Sequence, residues 1–298
     1  MSIEVTVRQR GFFHKTPLEL EDLTGNTLKY GIMDFGYRLI PEDTKGGVLV
    51  VYDPEHIGRG AEAMFEEGMK DRITLRLTEF GTTVYDVNLF YEMIERICHK
   101  WDTEEFEQGG RKYTLYDIEK LKEENREFCM GYFRDAGRLS GSDVLTVTAV
   151  MMPLRIPAET LEKFGRENDE EGYAKYLHDL QSVDAYYALP ALYQSRQTGE
   201  IFGLYAISAG ADSIISRKPE LPLSSPVGMD QVKFFAVSFY VFSEKTVAGT
   251  IRYEDFAKEV LTPELKAFDD EHVILPGLPE ERIREIVEKY PGIRLPEN

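Results

Sequence analysis

Gly58-Arg59-Gly60-Ala61-Glu62-Ala63 satisfies the G-x-G-x-x-A pattern of a dinucleotide-binding turn. It follows an apolar run, and Glu79 lies about twenty residues on, where such folds place the acid that holds a ribose. The chemistry would be a pyrophosphate seated on a helix N-terminus. The spacing argues against it. Asp53-Pro54-Glu55-His56-Ile57 separates the strand from the first glycine, and only about a dozen residues precede the next strand, too few for a helical crossover between parallel strands. The rival reading is a glycine-flexed loop whose Arg59 pairs with an acid or reaches a ligand.

The other candidate chemistry is sparse. Five histidines are scattered, and Asp269-Asp270-Glu271-His272 alone concentrates hard and imidazole ligands in sequence. Consecutive side chains point in different directions in helix or strand. A metal there needs ligands from elsewhere, and the stretch reads as a helix C-terminal acidic patch, so no metal is assigned. Cys98 and Cys129 form no CxxC pair, which leaves zinc and a disulfide scaffold unsupported. No G-x-S-x-G and no phosphate-binding P-loop occurs. Carboxylates are so abundant that pairing any two as acid and base is arbitrary. No catalytic residue and no cofactor is assigned.

Asp184 to Tyr205 is the densest aromatic stretch, with Tyr186, Tyr187, Tyr193 and Tyr205 around a Gln197-Thr198-Gly199 turn. Gly199 suits the left-handed position that closes a short hairpin loop. That register sets Tyr193 opposite Phe202, Leu192 opposite Gly203 and Pro190 near Tyr205. Both faces are then largely apolar, as in a strand covered on two sides, while Pro190 demands an edge or bulge and Gly203 leaves a notch. Two readings follow. The rings fill a core with each hydroxyl on a carbonyl, or Tyr186, Tyr187, Tyr193 and Tyr205 line a ligand pocket, with Arg59 or Arg196 as an anion contact.

The elements that must position these residues alternate between periods of two and 3.6. Ile3, Val5 and Val7 open a strand, followed by a short helix with Thr16 as N-cap and Pro17 at its first position. Val48 to Tyr52 is a buried-type strand, and 61–65 with 73–77 form a hairpin. Val84, Val87, Tyr91, Ile94, Cys98 and Trp101 make the stripe of the strongest helix, with Asp86, Glu92, Glu95, Arg96 and His99 facing away. A hairpin over 104–113 and a helix opened by Thr114 to Asp117 follow. Gly137 to Asp143 marks a boundary, 144–152 a strand stopped by Pro153 and Pro157, and 158–165 and 170–182 two helices. Residues 211–230, with three prolines and little periodicity, read as a connection that is functional, mobile or partly structured. A hairpin over 232–252 with a following helix, and a final helix started by Pro279, complete the chain.

With 53 acidic against 35 basic residues the formal charge is −18, which repels phosphate backbones and anionic lipid surfaces. No nucleic-acid or membrane partner is expected, and a basic protein partner is compatible. The first ten residues carry no apolar signal core and no run approaches a membrane span. The expected location is cytoplasmic.

Gly58-Arg59-Gly60-Ala61-Glu62, Asp184-Ala185-Tyr186-Tyr187-Ala188 and Thr198 to Tyr205, in this order, together with Val237-Ser238-Phe239 before a hairpin and helix, resemble a bacterial domain-of-unknown-function family of soluble proteins. The resemblance spans most of the chain. It implies a bacterial cytosolic origin and a full-length protein, and it transfers no catalytic residue. The expected fold class is α+β, two closely packed halves, 1–138 and 139–298, with mixed or antiparallel sheets and flanking helices. The leading functional reading is a non-enzymatic acidic protein that binds a protein partner, in a regulatory or toxin-neutralising role. The alternatives are a small-molecule binder or enzyme using a tyrosine-lined pocket, and a homo-oligomer built through strand edges.

Overall fold

Alternation in the opening residues does build a strand, β1 (Ser2–Arg8), with Val5 and Val7 wholly buried. The computed structural model describes residues 2–11 and 14–293, which divide into two units, Met1–Ser182 and Val183–Asn298. In the first unit β1 is followed by α1 (Leu20–Thr24), β2 (Lys29–Met33), β3 (Leu39–Pro41), β4 (Val48–Tyr52), β5 (Ala61–Met64) and β6 (Arg72–Thr78). Then come α2 (Val84–Lys100), β7 (Glu105–Gln108), β8 (Arg111–Thr114), α3 (Ile118–Arg134), α4 (Ala136–Ser140), β9 (Val144–Thr148), β10 (Pro153–Pro157), α5 (Ala158–Glu167) and α6 (Glu170–Gln181).

Eight of these strands form a sheet in the order β3-β2-β4-β5-β6-β1-β7-β8, every neighbouring pair antiparallel. Its two faces differ. Leu49, Ala63, Leu75 and Val5 are cross-strand neighbours on one face and belong to the core that includes Phe90, Ile94 and Cys98 of α2. One residue along, the row Val50, Glu62, Arg76, Glu4 lies on the other face. That second face carries charge, and the site described below forms on it.

Several expectations need correction. The first helix begins at Leu20 with Glu19 as N-cap, because the Thr16 backbone is held from outside: its N–H donates to Gln9 Oε1 at 2.7 Å and its carbonyl accepts the Trp101 indole at 3.1 Å. Residues 144–152 are not one strand. The chain turns after Thr148 and returns as β10, because the Val150 N–H is spent on Gly58 and the Met151 N–H on Gln181 instead of on a ladder. Pro153 and Pro157 are therefore the first and last residues of a strand. Gly137 to Asp143 lies within the first unit, as the end of α4 and the turn into β9.

The second unit contains β11 (Tyr186–Tyr187), β12 (Ala191–Gln194), β13 (Ile201–Ser208), β14 (Ser213–Ser216), β15 (Val232–Val241), β16 (Thr246–Arg252), α7 (Tyr253–Val260), β17 (His272–Leu275) and α8 (Glu280–Lys289). They form two sheets, β11-β14-β17 and β12-β13-β15-β16, each mixing parallel and antiparallel pairs. The whole is an α+β fold. Residues 211–230 are partly structured: they contain β14 and lead into a 3-10 turn at Met229–Gln231.

The tyrosine stretch pairs Tyr193 with Phe202 and Leu192 with Gly203, as the turn requires. It is not one continuous strand, however. Tyr186 and Tyr187 pair with β14 in the other sheet, and β12 is an edge strand with exposed Ala191 and Gln194. Pro190 sits between the two segments, where a missing N–H breaks no ladder. The Gly203 notch is filled: a Cβ there would lie 2.3 Å from the Phe235 ring.

Gly203→Ala is expected to destabilise the second unit by about 1–3 kcal/mol through overpacking, read as a lower urea midpoint. Gly199→Asn, at φ 73° with nothing within 4 Å of the added Cβ, should cost less because asparagine tolerates that conformation.

Candidate functional site

The best-organised polar structure is the connection between β4 and β5, residues 53–60. Its last four residues have their backbone held by side chains from two helices. The Ile57 N–H donates to His178 Nδ1 at 3.1 Å, and Gln181 Nε2 donates to the carbonyls of Ile57 and Gly58 at 3.0 and 2.9 Å. The N–H groups of Arg59 and Gly60 donate to Asp86 Oδ2 and Oδ1 at 3.0 and 2.7 Å. Both glycines are sterically required. A Cβ on Gly58 would lie 2.3 Å from the Asp86 carboxylate, and Gly60 has φ 68° with Val51 O at 2.6 Å from an added Cβ.

Asp86 lies in the first turn of α2, where Thr83 caps the helix. The Thr83 N–H and hydroxyl donate to Asp86 Oδ2 at 2.9 and 2.8 Å, and the Asp86 N–H returns a bond to Thr83 Oγ1 at 3.1 Å. One carboxylate therefore caps its own helix and captures the turn. The expectation that Asp86 faces solvent is overturned: it is 3% exposed. Burial pushes its carboxyl pKa up, and hydrogen bonds from Arg59, Thr83 and Gly60 pull it back. Every partner donates, so the ionised form is the one that fits.

The result of this clamping is the placement of Arg59. Its Nε donates to the Thr148 carbonyl at 3.0 Å, and its two terminal nitrogens donate to the Phe80 carbonyl and the Thr148 hydroxyl. Among the described residues no carboxylate comes within ion-pair distance of it. Burial pulls its pKa down, although arginine stays charged at any pH of interest. Arg59 is half-buried and borders a cavity of about 300 Å³.

That cavity lies over the charged face of the large sheet. Ile32, Val48 and Val50 give it apolar surface, and Arg76, Thr78 and Thr148 add polar groups. Glu62 also lines it, with Arg76 Nε 2.9 Å from its carboxylate. Tyr37, Lys45 and Gly46 contribute from the 34–47 segment, where Tyr37, Glu42, Gly46 and Gly47 all have left-handed φ values. Tyr37 and Glu42 carry side chains in a conformation that favours glycine, so this wall holds backbone strain. A rigid turn and a strained loop thus border one space.

Another cavity, of about 460 Å³, takes Glu55 and His56 from the start of the same connection, together with Tyr85, Glu171, His178 and Asp179. His56 stacks on Tyr85 at 3.6 Å, and its polar groups satisfy one another through His56–Asp53, Tyr85–Glu171 and Lys175–Asp179 contacts.

In the second unit the notable cluster centres on His272. Asp269 Oδ1 lies 2.8 Å from Nδ1, Glu220 Oε1 2.8 Å from Nε2, and the Tyr187 hydroxyl 3.1 Å from Nε2. The stretch 269–272 is therefore a turn into β17, not a helix end. Both ring nitrogens face carboxylates, which leaves neither for a metal. Burial alone would lower the imidazole pKa, but hydrogen bonds and charge from Asp269 and Glu220 outweigh it and raise the value to about 9. Among the described residues no group of three or more His, Cys, Asp or Glu is placed to hold a metal. Both cysteine thiols are buried and pushed up to about 12, so neither is a nucleophile.

Of the proposed ligand residues, Arg59 belongs to the first unit and Tyr186, Tyr187, Tyr193, Tyr205 and Arg196 to the second. Tyr205 is fully buried, with its hydroxyl accepting the Glu220 N–H at 3.0 Å. Tyr187 is buried against His272, while Tyr186 is 49% exposed. Tyr193 stacks on Phe202, which stacks on Phe234, itself covered by Arg252. Arg196 is exposed at the hairpin turn. Of the six, Arg59 borders the cavity of the first unit. Sequence reasoning missed Asp86, Thr148, His178 and Gln181. The Thr83-x-x-Asp86 box was a legible signal for one of them, but nothing local marks the other three.

Fold and site together define an α+β protein with a polar cavity on the open face of an antiparallel sheet. The chain belongs to the family described as Domain of unknown function (DUF4299), whose model matches residues 2–286. The resemblance to a domain-of-unknown-function family thus holds over nearly the whole chain. No curated protein and no solved structure matches it. Among the described residues no helix is long and apolar enough to cross a membrane.

Asp86→Asn places an amide donor among four donors and is expected to cost about 2–4 kcal/mol, measured by chemical denaturation. His272, with its pKa raised on folding, contributes stability that is fully present below about 6.5 and lost as pH rises through about 9. The second unit should accordingly lose on the order of 3 kcal/mol between those limits. His272→Gln should flatten that slope in pH-dependent unfolding.

Proposed function

We propose that the protein is a non-catalytic receptor for a small molecule bound in the cavity beside Arg59. The observation that supports this reading is the convergence of His178, Gln181 and Asp86 on four residues of backbone, which holds one arginine at the edge of an open space. Side chains locked by a surrounding shell of hydrogen bonds are what a preorganised binding site needs. The lining supports binding over catalysis. It offers guanidinium, ammonium and hydroxyl groups over an apolar floor, with no imidazole or thiol, and Glu62 is engaged by Arg76.

A regulatory role through a protein partner is the second reading, favoured by the exposure of Phe35, Ile40, Val48 and Met64 on strands or turns at the β3 end of the large sheet. Phe35 is 89% exposed. The charge of −18 makes the partner of this reading a basic protein.

A metabolite panel screened by thermal shift tests the receptor reading. Ligand at a hundred times its Kd should stabilise the protein by about 2.7 kcal/mol. Val48→Trp, which fills the cavity from a partly exposed strand position, should abolish the shifts. A panel with no hits, or hits indifferent to that substitution, would sink the proposal.

A further inference from the structure

The donor count at Arg59 points to a ligand class, and this inference rests on the receptor reading above. Arginine has five N–H donors in a planar fork. Three are used, by the Thr148 carbonyl, the Phe80 carbonyl and the Thr148 hydroxyl. Those three bonds take Nε and one hydrogen on each terminal nitrogen, so each terminal nitrogen retains one N–H. All three acceptors are neutral. The cation is surrounded by protein, and among the described residues no carboxylate pairs with it. Asp86, which accepts the Arg59 backbone N–H, has its oxygens occupied by four donors.

A positive charge withdrawn from water is costly unless a negative one meets it. The surroundings agree in sign. The Lys45 ammonium, in the strained wall, makes no hydrogen bond or ion pair among the described residues, while the Lys45 backbone N–H donates to Asp43. Arg76 is partly balanced by Glu62. Three cations and one carboxylate therefore border a cavity in a chain whose overall charge is −18. That local reversal of sign would draw an anion into the cavity against the repulsion of the rest of the molecule.

We infer that the ligand is a small amphiphilic oxyanion, a carboxylate or a phosphate monoester. Its acid group meets the free N–H donors of Arg59, and its apolar part lies on Val48 and Val50. The space is equivalent to about ten waters, which suits a short acyl or alkyl chain. The glycines of the 58–60 turn serve this arrangement by admitting Asp86, and the helix N-terminus is engaged by that carboxylate instead of by a ligand phosphate.

Isothermal titration of the full chain with hexanoate, hexyl phosphate and hexan-1-ol tests the inference. The acids should bind at least about tenfold more tightly than the alcohol, and added salt should weaken the acids alone. Arg59→Lys removes the fork while keeping the charge, and Lys45→Gln removes a charge that makes no contact in the fold; each should weaken acid binding by about tenfold or more. Whichever acid binds more tightly identifies the headgroup. If the alcohol matches the acids, or if Lys45→Gln and a folded Arg59→Lys both leave acid binding unchanged, the oxyanion assignment fails while the receptor reading stands. If none of the three binds although the metabolite panel gives cavity-dependent hits, the assignment also fails. If the panel gives no hits either, the receptor reading itself has failed.

Discussion

The Asp86 carboxylate carries two structural demands at once. As the third residue of α2 it completes the capping box with Thr83 and satisfies amides that a helix start leaves open. From the same position it accepts the N–H groups of Arg59 and Gly60, so the β4 to β5 connection is anchored on the helix that packs against the sheet. A buried carboxylate is tolerated only when donors surround it. Here those donors come from two segments, so removing the carboxylate would leave amides of both unsatisfied. The geometry of the cavity wall follows from that dependence.

The sheet explains why the site forms where it does. An antiparallel sheet can bury one face and leave the other accessible. Here α2 covers the row of Leu49, Ala63, Leu75 and Val5, while Val50, Glu62 and Arg76 remain on the opposite face. The β9 to β10 turn supplies Thr148 and Val150 beside the glycine turn, through the Arg59 to Thr148 bonds and the bond from the Val150 N–H to the Gly58 carbonyl. Tyr37, Lys45 and Gly46 of the 34–47 segment line the cavity as well. In the second unit an equivalent concentration of charge is spent internally: His272 ties β17 to the segment after β14 through Glu220, and its hydrogen bonds are directed inward. This contrast, an arginine without a carboxylate in one unit and a histidine with two in the other, separates a candidate site from a structural lock.

The legibility of the fold varied with the range of the interactions behind each element. The stripe of α2, the β5 to β6, β7 to β8 and β15 to β16 hairpins, and the pairing of Tyr193 with Phe202 were readable, because each depends on side-chain period or turn chemistry within one segment. The failures share a cause. Residues 144–152 looked like one strand because their apolar content is high, yet the N–H groups of Val150 and Met151 are claimed by Gly58 and Gln181 from elsewhere in the chain. Thr16 looked like a cap, but its backbone is claimed by Gln9 and Trp101.

The sequence by itself determined the secondary structure of the strongly periodic segments and the net acidity of the chain. Periodicity and backbone conformation are local properties, so a single chain displays them. Only the tertiary structure decided that Asp86 turns inward, that Arg59 ends beside a cavity without a carboxylate, and that the tyrosines disperse between two sheets. The partner of a buried polar group is whichever group packing brings within about 3 Å, and the groups concerned here are up to 124 positions apart, as between Gln181 and Ile57. No pattern along the chain encodes that choice.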